Sequence, residues 1–478
     1  MDVVIGLDVG SSGARACAVR PDGTVAGRAS QPFSRPPAAP QPGWAEQDAL
    51  DWWEASCACL RMLTGQLGDI HVVALSIDST SGTIVPLGED GHPLAPALMY
   101  NDNRAAGLEG EVNAAAGAFT ARMGYTFPPA FALVKLVWLA RNRPELVAQT
   151  AVFAHAADYL AGKLTGGFGV TDTSNAFKTG VDLMTGEWPP FISALGVPLD
   201  TLPRVVRPGS GIGAVTPQAS LETGLPMGAP VIAGATDGMA AFLASGACQP
   251  GDWNITIGTT IVLRGVATDL IVDPQGRYYS HRHPDGAWLP GGASKVGGEA
   301  LQKWFGSEIE ALDAGAEGRL PTAILSYPLV RTGERMPFVH PGAQGFTLGE
   351  PADEVERFAA AAEGVALVAA WAVREAEALG APADGRMYLT GGAAHGRALG
   401  RVLAAALGKP LHVPTEPDAA FGSALLAAGW SWFGGSVTDA QAAMVKQAEL
   451  IMPNPAWFEP YQAKLEALKR ACQERHYL

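Results

Sequence analysis

At 478 residues the chain exceeds what one hydrophobic core usually serves, so two domains are expected. Hydrophobic residues make up 48% and charged ones 17%, a composition that buries a core and excludes a disordered chain. The formal net charge of −14 argues against a nucleic-acid partner, because no broad basic surface is available to neutralise phosphates.

Cys17, Cys57, Cys59, Cys248 and Cys472 are odd in number and scattered, which reads as reduced thiols. Asp8 interrupts the first apolar run, and no run approaches the roughly 20 residues that span a bilayer. A soluble cytoplasmic protein with no membrane partner is expected.

In chain order, Val3–Val9 reads as a buried strand, Gly10–Gly13 as a tight turn and Ala14–Val19 as a returning strand. Asp22-Gly23 turns into another strand, and Pro32–Pro42 is a Pro-rich loop. Asp51–Leu67 has helical spacing; Val72–Ile77 and Thr83–Leu87 are strands. Residues 104–165 read as mostly helical, and the stretch from Thr171 to Pro208 as irregular. Strands restart at Pro230–Gly234, Asn254–Val266, Tyr278–His281 and Ala287–Pro290. Helices are expected at Glu299–Phe305, Val355–Leu379, Ala398–Leu407 and Ala419–Ala428, with strands at Arg386–Thr390 and Pro410–Val413. The tail from Gln441 reads as helical at both ends around a break at Pro453–Pro455.

Each half opens with strand, Gly/Ser/Thr turn, strand, and continues with helices, a weak repeat of pattern. The domains are placed at 1–246 and 247–478, leaving room for the last helix to return to the first domain. A cleft between two such domains is the default place for a ligand.

Asp8-Val9-Gly10-Ser11-Ser12-Gly13 offers inward N–H groups, two hydroxyls and, from Arg15, a fixed positive charge. It leads into a strand, unlike a P-loop or a Rossmann fingerprint. An ordinary hairpin with a surface Asp explains it equally well. Gly258-Thr259-Thr260 repeats the design, and two such turns can grip one phosphate chain from both sides. Asp237 opens a helix, where an acid can simply cap, or can act as a general base toward an alcohol. Asp8 is the stronger candidate for contact with a metal, directly or through water. Gly391-Gly392-Ala393 can be close helix packing or a nucleotide seat. The polar strand end Asp78–Gly82 and the cluster Tyr100–Arg104 satisfy turn chemistry and also suit a polyhydroxylated ligand. His281, His283 and His340 read as structural, and Trp52-Trp53 as core.

These stretches, in order and spacing, resemble the FGGY family of carbohydrate kinases: GLDVGSSGAR, PGWAEQD, IDSTSG, NDNRA, AGATDGMAAFLASGA, TIGTTIVL and LTGGAAHGRALG with the segment to AAG. LPGGASKVGGEAL and YPLVRTGERMPF bring it closest to the D-ribulokinase or xylulokinase-like subgroup. The resemblance implies an α/β fold of two ribonuclease-H-like domains, of the sugar kinase/Hsp70/actin superfamily, flanking a deep cleft. It implies ATP and Mg2+ as cofactors and a small sugar as substrate, with a homodimer allowed. Asp237 falls at the position of the catalytic base, and the metal falls between Asp8 and Asp237. Ser11, Ser12 and Arg15 fall in the first phosphate motif, with hydroxyls kept where most relatives have threonine. Gly258, Thr259 and Thr260 fall in the second, with Gly298 beside it. Gly391, Gly392 and Ala393 match the adenosine motif. Asp8, Asp78, Ser81, Asp102 and Asp237 are the expected sugar contacts. The expected reaction is ATP-dependent phosphorylation of a ketopentose, D-ribulose ahead of D-xylulose, at a terminal hydroxyl. A pentitol, erythritol or glycerol is the alternative acceptor; a catalytically idle sugar- or nucleotide-binding protein is the alternative of another class.

Overall fold

The computed structural model describes every residue except Asp69 and 393–395. Ala393 of the adenosine motif lies outside the described residues.

The first lobe is built on a six-stranded sheet. Its strands are β1 (Asp2–Val9), β2 (Gly13–Val19), β3 (Val25–Pro32), β4 (His71–Ser79), β5 (Gly211–Ala214) and β6 (Pro230–Thr236), in spatial order β5-β6-β4-β1-β2-β3. β1 is apolar on both faces, as a covered central strand must be. β4 and β6 run parallel to β1, whereas β2 and β3 return antiparallel. Helix α1 (Ala49–Leu67) covers one face through Trp52, Leu60 and Leu63, with α2 (Ala156–Thr165) beside it. Asp48 starts α1 by accepting from Leu50 N at 2.9 Å. A short helix, α3 (Asp237–Ser245), leaves the end of β6 and closes on Gly246 at positive φ.

The second lobe repeats the plan on seven strands. β7 (Trp253–Ile257) and β8 (Ile261–Gly265) form a hairpin, resolving the single run read over Asn254–Val266. β9 (Tyr279–Arg282), β10 (Trp288–Ala293), β11 (Met387–Thr390), β12 (Leu411–Pro414) and β13 (Gln447–Ile451) complete the order β9-β10-β8-β7-β11-β12-β13. In both lobes the first strand opens a hairpin, and two later strands run parallel beside that first strand. That is the ribonuclease-H-like topology, present twice. Its helices are α4 (Glu354–Ala378), α5 (Arg397–Leu407), α6 (Ala419–Trp432) and α7 (Pro455–Glu474).

Two helices sit differently from the reading of the sequence. The last helix, α7, stays with the second lobe and does not return to the first. Its stripe of Tyr461, Leu465, Leu468 and Cys472 joins the second core, and Tyr461 Oη donates to the buried Glu363 at 3.1 Å. The helix that crosses is α6, which packs on β1, β4 and α3 of the first lobe. Burying Phe421, Leu425 and Leu426 there stabilises the join by about 1.5–3 kcal/mol per side chain. Close approach needs bare backbone: a Cβ on Gly6 would meet Ala420 O at 1.8 Å, and one on Gly422 would meet Ala240 O at 1.8 Å.

Residues 104–165 are more broken than their periodicity suggests. Short helices surround a buried strand, Val152–His155, and form a satellite core around Phe119, Phe127 and Phe177. The tail contains β13 where a helix or break was expected, because an edge strand with exposed side chains carries little apolar signal.

Candidate active site

Three acidic residues stand at the carboxyl ends of adjacent parallel strands. Asp8 on β1 lies opposite Asp78 on β4 in the sheet register, and Ala235-Thr236, just before Asp237, lie opposite Asp78-Ser79. A cavity of about 530 Å3 opens above them, lined by Asp8, Ser11, Ser12, Arg15 and Asp237 among others. Ser81, Tyr100 and Lys178 form its other wall.

The carboxyl groups differ in environment. Asp78 is fully buried and accepts from Ser423 Oγ of α6 at 2.5 Å; its Oδ1 has no partner among the described residues. Burial, and the Asp8 charge beside it, hold its proton well above the usual carboxylate range. Asp8 is raised by burial too, against the pull of the neighbouring Asp78 carboxyl and of the Arg15 guanidinium, 3.2 Å from Oδ2. Of the two, Asp78 holds its proton the more tightly and Asp8 gives up its proton first. Asp237 accepts from Gly238 N at 2.7 Å. Burial pushes it up to about 6, against the pull of that N–H and of Lys178 and Arg264.

The second lobe carries the same register with other chemistry. Thr256 and Thr390 are paired on β7 and β11 as Asp8 and Asp78 are on β1 and β4, and their hydroxyls meet at 2.8 Å. The turn two residues on is Gly10–Gly13 in one lobe and Gly258–Thr260 in the other. The fold repeat thus places acids at the strand ends of one lobe and neutral hydroxyls at those of the other.

Gly258, Thr259 and Thr260 do not line the cavity; they form a turn braced by Gly298 N, which donates to Gly258 O at 2.7 Å. Gly298 therefore holds the turn, its amide being committed to that contact. Gly391, at φ +88, packs on Ile257, where a Cβ would meet Ile257 O at 2.6 Å, and Gly392 has open space around it. Gly391 and the second turn are thus neighbours on the second sheet.

Asp102 departs from its expected place. It is fully buried away from the cavity, accepting from Ala45 N at 2.6 Å and gripping Arg104 through Nε and Nη2, both at 2.9 Å. Its role is to hold the Arg104 guanidinium 3.7 Å above the Trp44 ring. The cavity wall takes Tyr100 from this cluster instead.

Lys178 was missed in the sequence, where it is one lysine in an irregular stretch. The structure makes that stretch a short helix, Thr173–Ala176, capped by Asp172, and ties it to the base of α3 by Thr236 N donating to Ser174 Oγ at 2.9 Å. Lys135, also unremarked, is fully buried and donates to Gly82 O at 2.6 Å and Met99 O at 2.8 Å. Burial pushes its ammonium down to about 7. It fixes the 80–82 turn against the strand end that carries Tyr100.

The donor set fits a hard divalent cation shared with phosphate oxygens. Among the described residues no three His, Cys, Asp or Glu side chains converge as a closed metal cage. Asp8 and Asp237 instead face the cavity beside serine hydroxyls, and the unpartnered Asp78 Oδ1 lies behind them. Such an open, oxygen-only arrangement suits Mg2+, which keeps several waters.

Two matching lobes and a carboxylate-floored cavity suit a phosphotransferase. Residues 3–244 match the model of the N-terminal domain of the FGGY family of carbohydrate kinases, and residues 253–430 match that of its C-terminal domain. The chain belongs to this family. It is 26% identical over 488 residues to a xylulose kinase of Escherichia coli (strain K12), covering 98% of each chain. It is 31% identical over 299 residues to a xylulose kinase of Streptomyces rubiginosus, covering 60% of this chain and 59% of that one. The solved structure of a xylulose kinase from Rhodospirillum rubrum superposes with a TM-score of 0.88 at 29% identity, covering 99% of both chains. The protein is a carbohydrate kinase that uses ATP with Mg2+ and binds a sugar. No helix of the described residues is long and apolar enough to cross a membrane.

Proposed function

We propose that the acceptor is a ketopentose, D-ribulose first and D-xylulose second, phosphorylated at a terminal hydroxyl with Asp237 as general base. The observation that carries this reading is Asp237 itself: a carboxylate on the cavity wall, held by one N–H, with a proton affinity raised toward neutrality. A base poised there takes a hydroxyl proton as the oxygen attacks and releases it readily afterwards. Mg-ATP, when bound, supplies the phosphoryl group and neutralises its developing charge. Asp8 and Asp237 would hold the metal, with Asp78, which keeps its proton the more tightly, behind Asp8. Ser11, Ser12 and the N–H groups of their turn would cradle phosphate from the first lobe, and Gly258–Thr260 from the second. Asp78, Ser423 and Lys135 shape the pocket without touching the acceptor. Relatives named xylulose kinase align along the chain, which keeps D-xylulose as the other acceptor to test.

The test is ADP release with Mg-ATP against D- and L-ribulose, D- and L-xylulose, pentitols, erythritol and glycerol, with a no-sugar control. One ketopentose should dominate kcat/KM. Activity confined to glycerol or a pentitol overturns the assignment, and no sugar-dependent release at all favours an idle binding protein.

The pH profile follows from the same group. Asp237 acts only when ionised, and its carboxyl is raised to about 6. kcat/KM should therefore fall as pH drops through about 6, roughly tenfold per unit below it. A rate that stays flat down to about pH 4.5 excludes a base with this proton affinity.

A further inference from the structure

Lys178 is the lysine in the cavity wall. The fully buried Phe177 before it and the buried Thr179 after it anchor its backbone. Its side chain lies against Gly82, where an added Cβ would come within 2.9 Å of Lys178 Cδ, so a bare turn makes room for it. Its ammonium lies 5.5 Å from the centre of the Phe131 ring and donates to Ser81 O at 3.0 Å. Among the described residues no carboxylate pairs with it. A lysine has three N–H donors, so two remain for the cavity.

The second lobe adds donors to the same corner. Arg264 of β8 donates to Gly238 O, next to Asp237, at 3.3 Å. His281 of β9 lies against Phe177 with ring centroids 4.4 Å apart, and Tyr279 stacks on Phe177 at 5.8 Å. Burial and the two cations keep His281 neutral. Apart from Asp237 the charged groups at this corner only donate; acceptors gather on the other side, at Asp8 and the serine hydroxyls.

We infer that Lys178 is a specificity-determining residue that donates to the carbonyl oxygen of an open-chain ketose, and so separates ketoses from the alditols of the same carbon skeleton. A carbonyl oxygen only accepts, which matches an ammonium that only donates. A hydroxyl in the same place accepts from the ammonium too, but its own proton then needs an acceptor, and among the charged groups at this corner only Asp237 is one. Leaving that proton without an acceptor at a half-buried site costs about tenfold in affinity. The 3.0 Å bond to Ser81 O and the fit against Gly82 hold the ammonium in position before any ligand arrives.

This inference rests on the kinase reading above, and one experiment separates the two. Initial rates are measured for the wild type, Lys178→Met and Lys178→Arg with the pairs D-ribulose/ribitol and D-xylulose/xylitol. The wild type should favour the ketose of its preferred pair at least about tenfold in kcat/KM. Lys178→Met should shrink that ratio by about tenfold, and Lys178→Arg, which keeps a donor-only cation, should retain part of it. Thermal denaturation and ADP binding confirm that each variant is folded; should Lys178→Met not fold, the ratio in Lys178→Arg decides, since a purely structural lysine leaves it at the wild-type value. Equal losses on both members of a pair, or a wild type indifferent to the carbonyl, overturn the role of Lys178 while leaving the kinase intact. No sugar-dependent ADP release from the wild type with either pair overturns the ketopentose reading and this inference with it.

Discussion

Replacing Asp237 with asparagine should lower kcat by about 10³-fold while leaving ADP binding near normal. Asparagine keeps the size of the side chain and an oxygen to accept from Gly238 N, so α3 should start as before. It removes the carboxylate charge, and with it the group that can accept the hydroxyl proton. ADP binding should persist because the second turn and the Gly391-Gly392 segment lie on the other lobe. Single-turnover rates and ADP titration in one preparation check both halves of the expectation. A variant with more than about a tenth of the wild-type rate excludes Asp237 as the base.

The second large effect is structural. Gly422→Ala should destabilise the protein by about 4 kcal/mol or more, because the new Cβ has nowhere to go. It would lie 1.8 Å from Ala240 O and 2.4 Å from Ala240 C, both backbone atoms of α3. Relief requires α6 and α3 to part, and α3 carries Asp237 at its first position. Activity should therefore fall together with the thermal midpoint. Gly110→Ala is the matched control: it lies in the helix Glu109–Ala115 with nothing within 4 Å of the added Cβ. There alanine should be neutral or stabilise by up to about 1 kcal/mol. Similar midpoints for the two variants would show that the α3–α6 contact yields easily.

Much of this architecture was legible in the chain because it is written locally. Gly10–Gly13 and Gly258–Thr260 lie between short strands, and Asp237 follows an apolar strand directly, so each could be placed from its neighbours. What escaped depended on partners distant in sequence. Ser423 reaches Asp78 across 345 positions, and nothing near either residue announces the contact. Asp102 looked like a sugar contact because it sits in a polar cluster. Its burial is decided by Arg104, Trp44 and the amide of Ala45, which meet only in the folded lobe. Lys178 gave no signal because its position is set by Phe177 in a satellite core and by the space at Gly82. The last helix was open to either lobe, since its apolar stripe would suit either surface. The buried Glu363, reached by Tyr461, marks the lobe it joins.

The crossing of α6 also bears on how the protein is made. One face of the first sheet, formed by β1 and β4 within the first 79 residues, is covered by a helix that begins at residue 419. During synthesis that apolar face must wait while the strands of the second sheet up to β12 emerge, and only then can the first lobe close. The two lobes are thus separate in topology but not in folding: a chain cut between them loses the lid of its first core together with the serine that bonds Asp78.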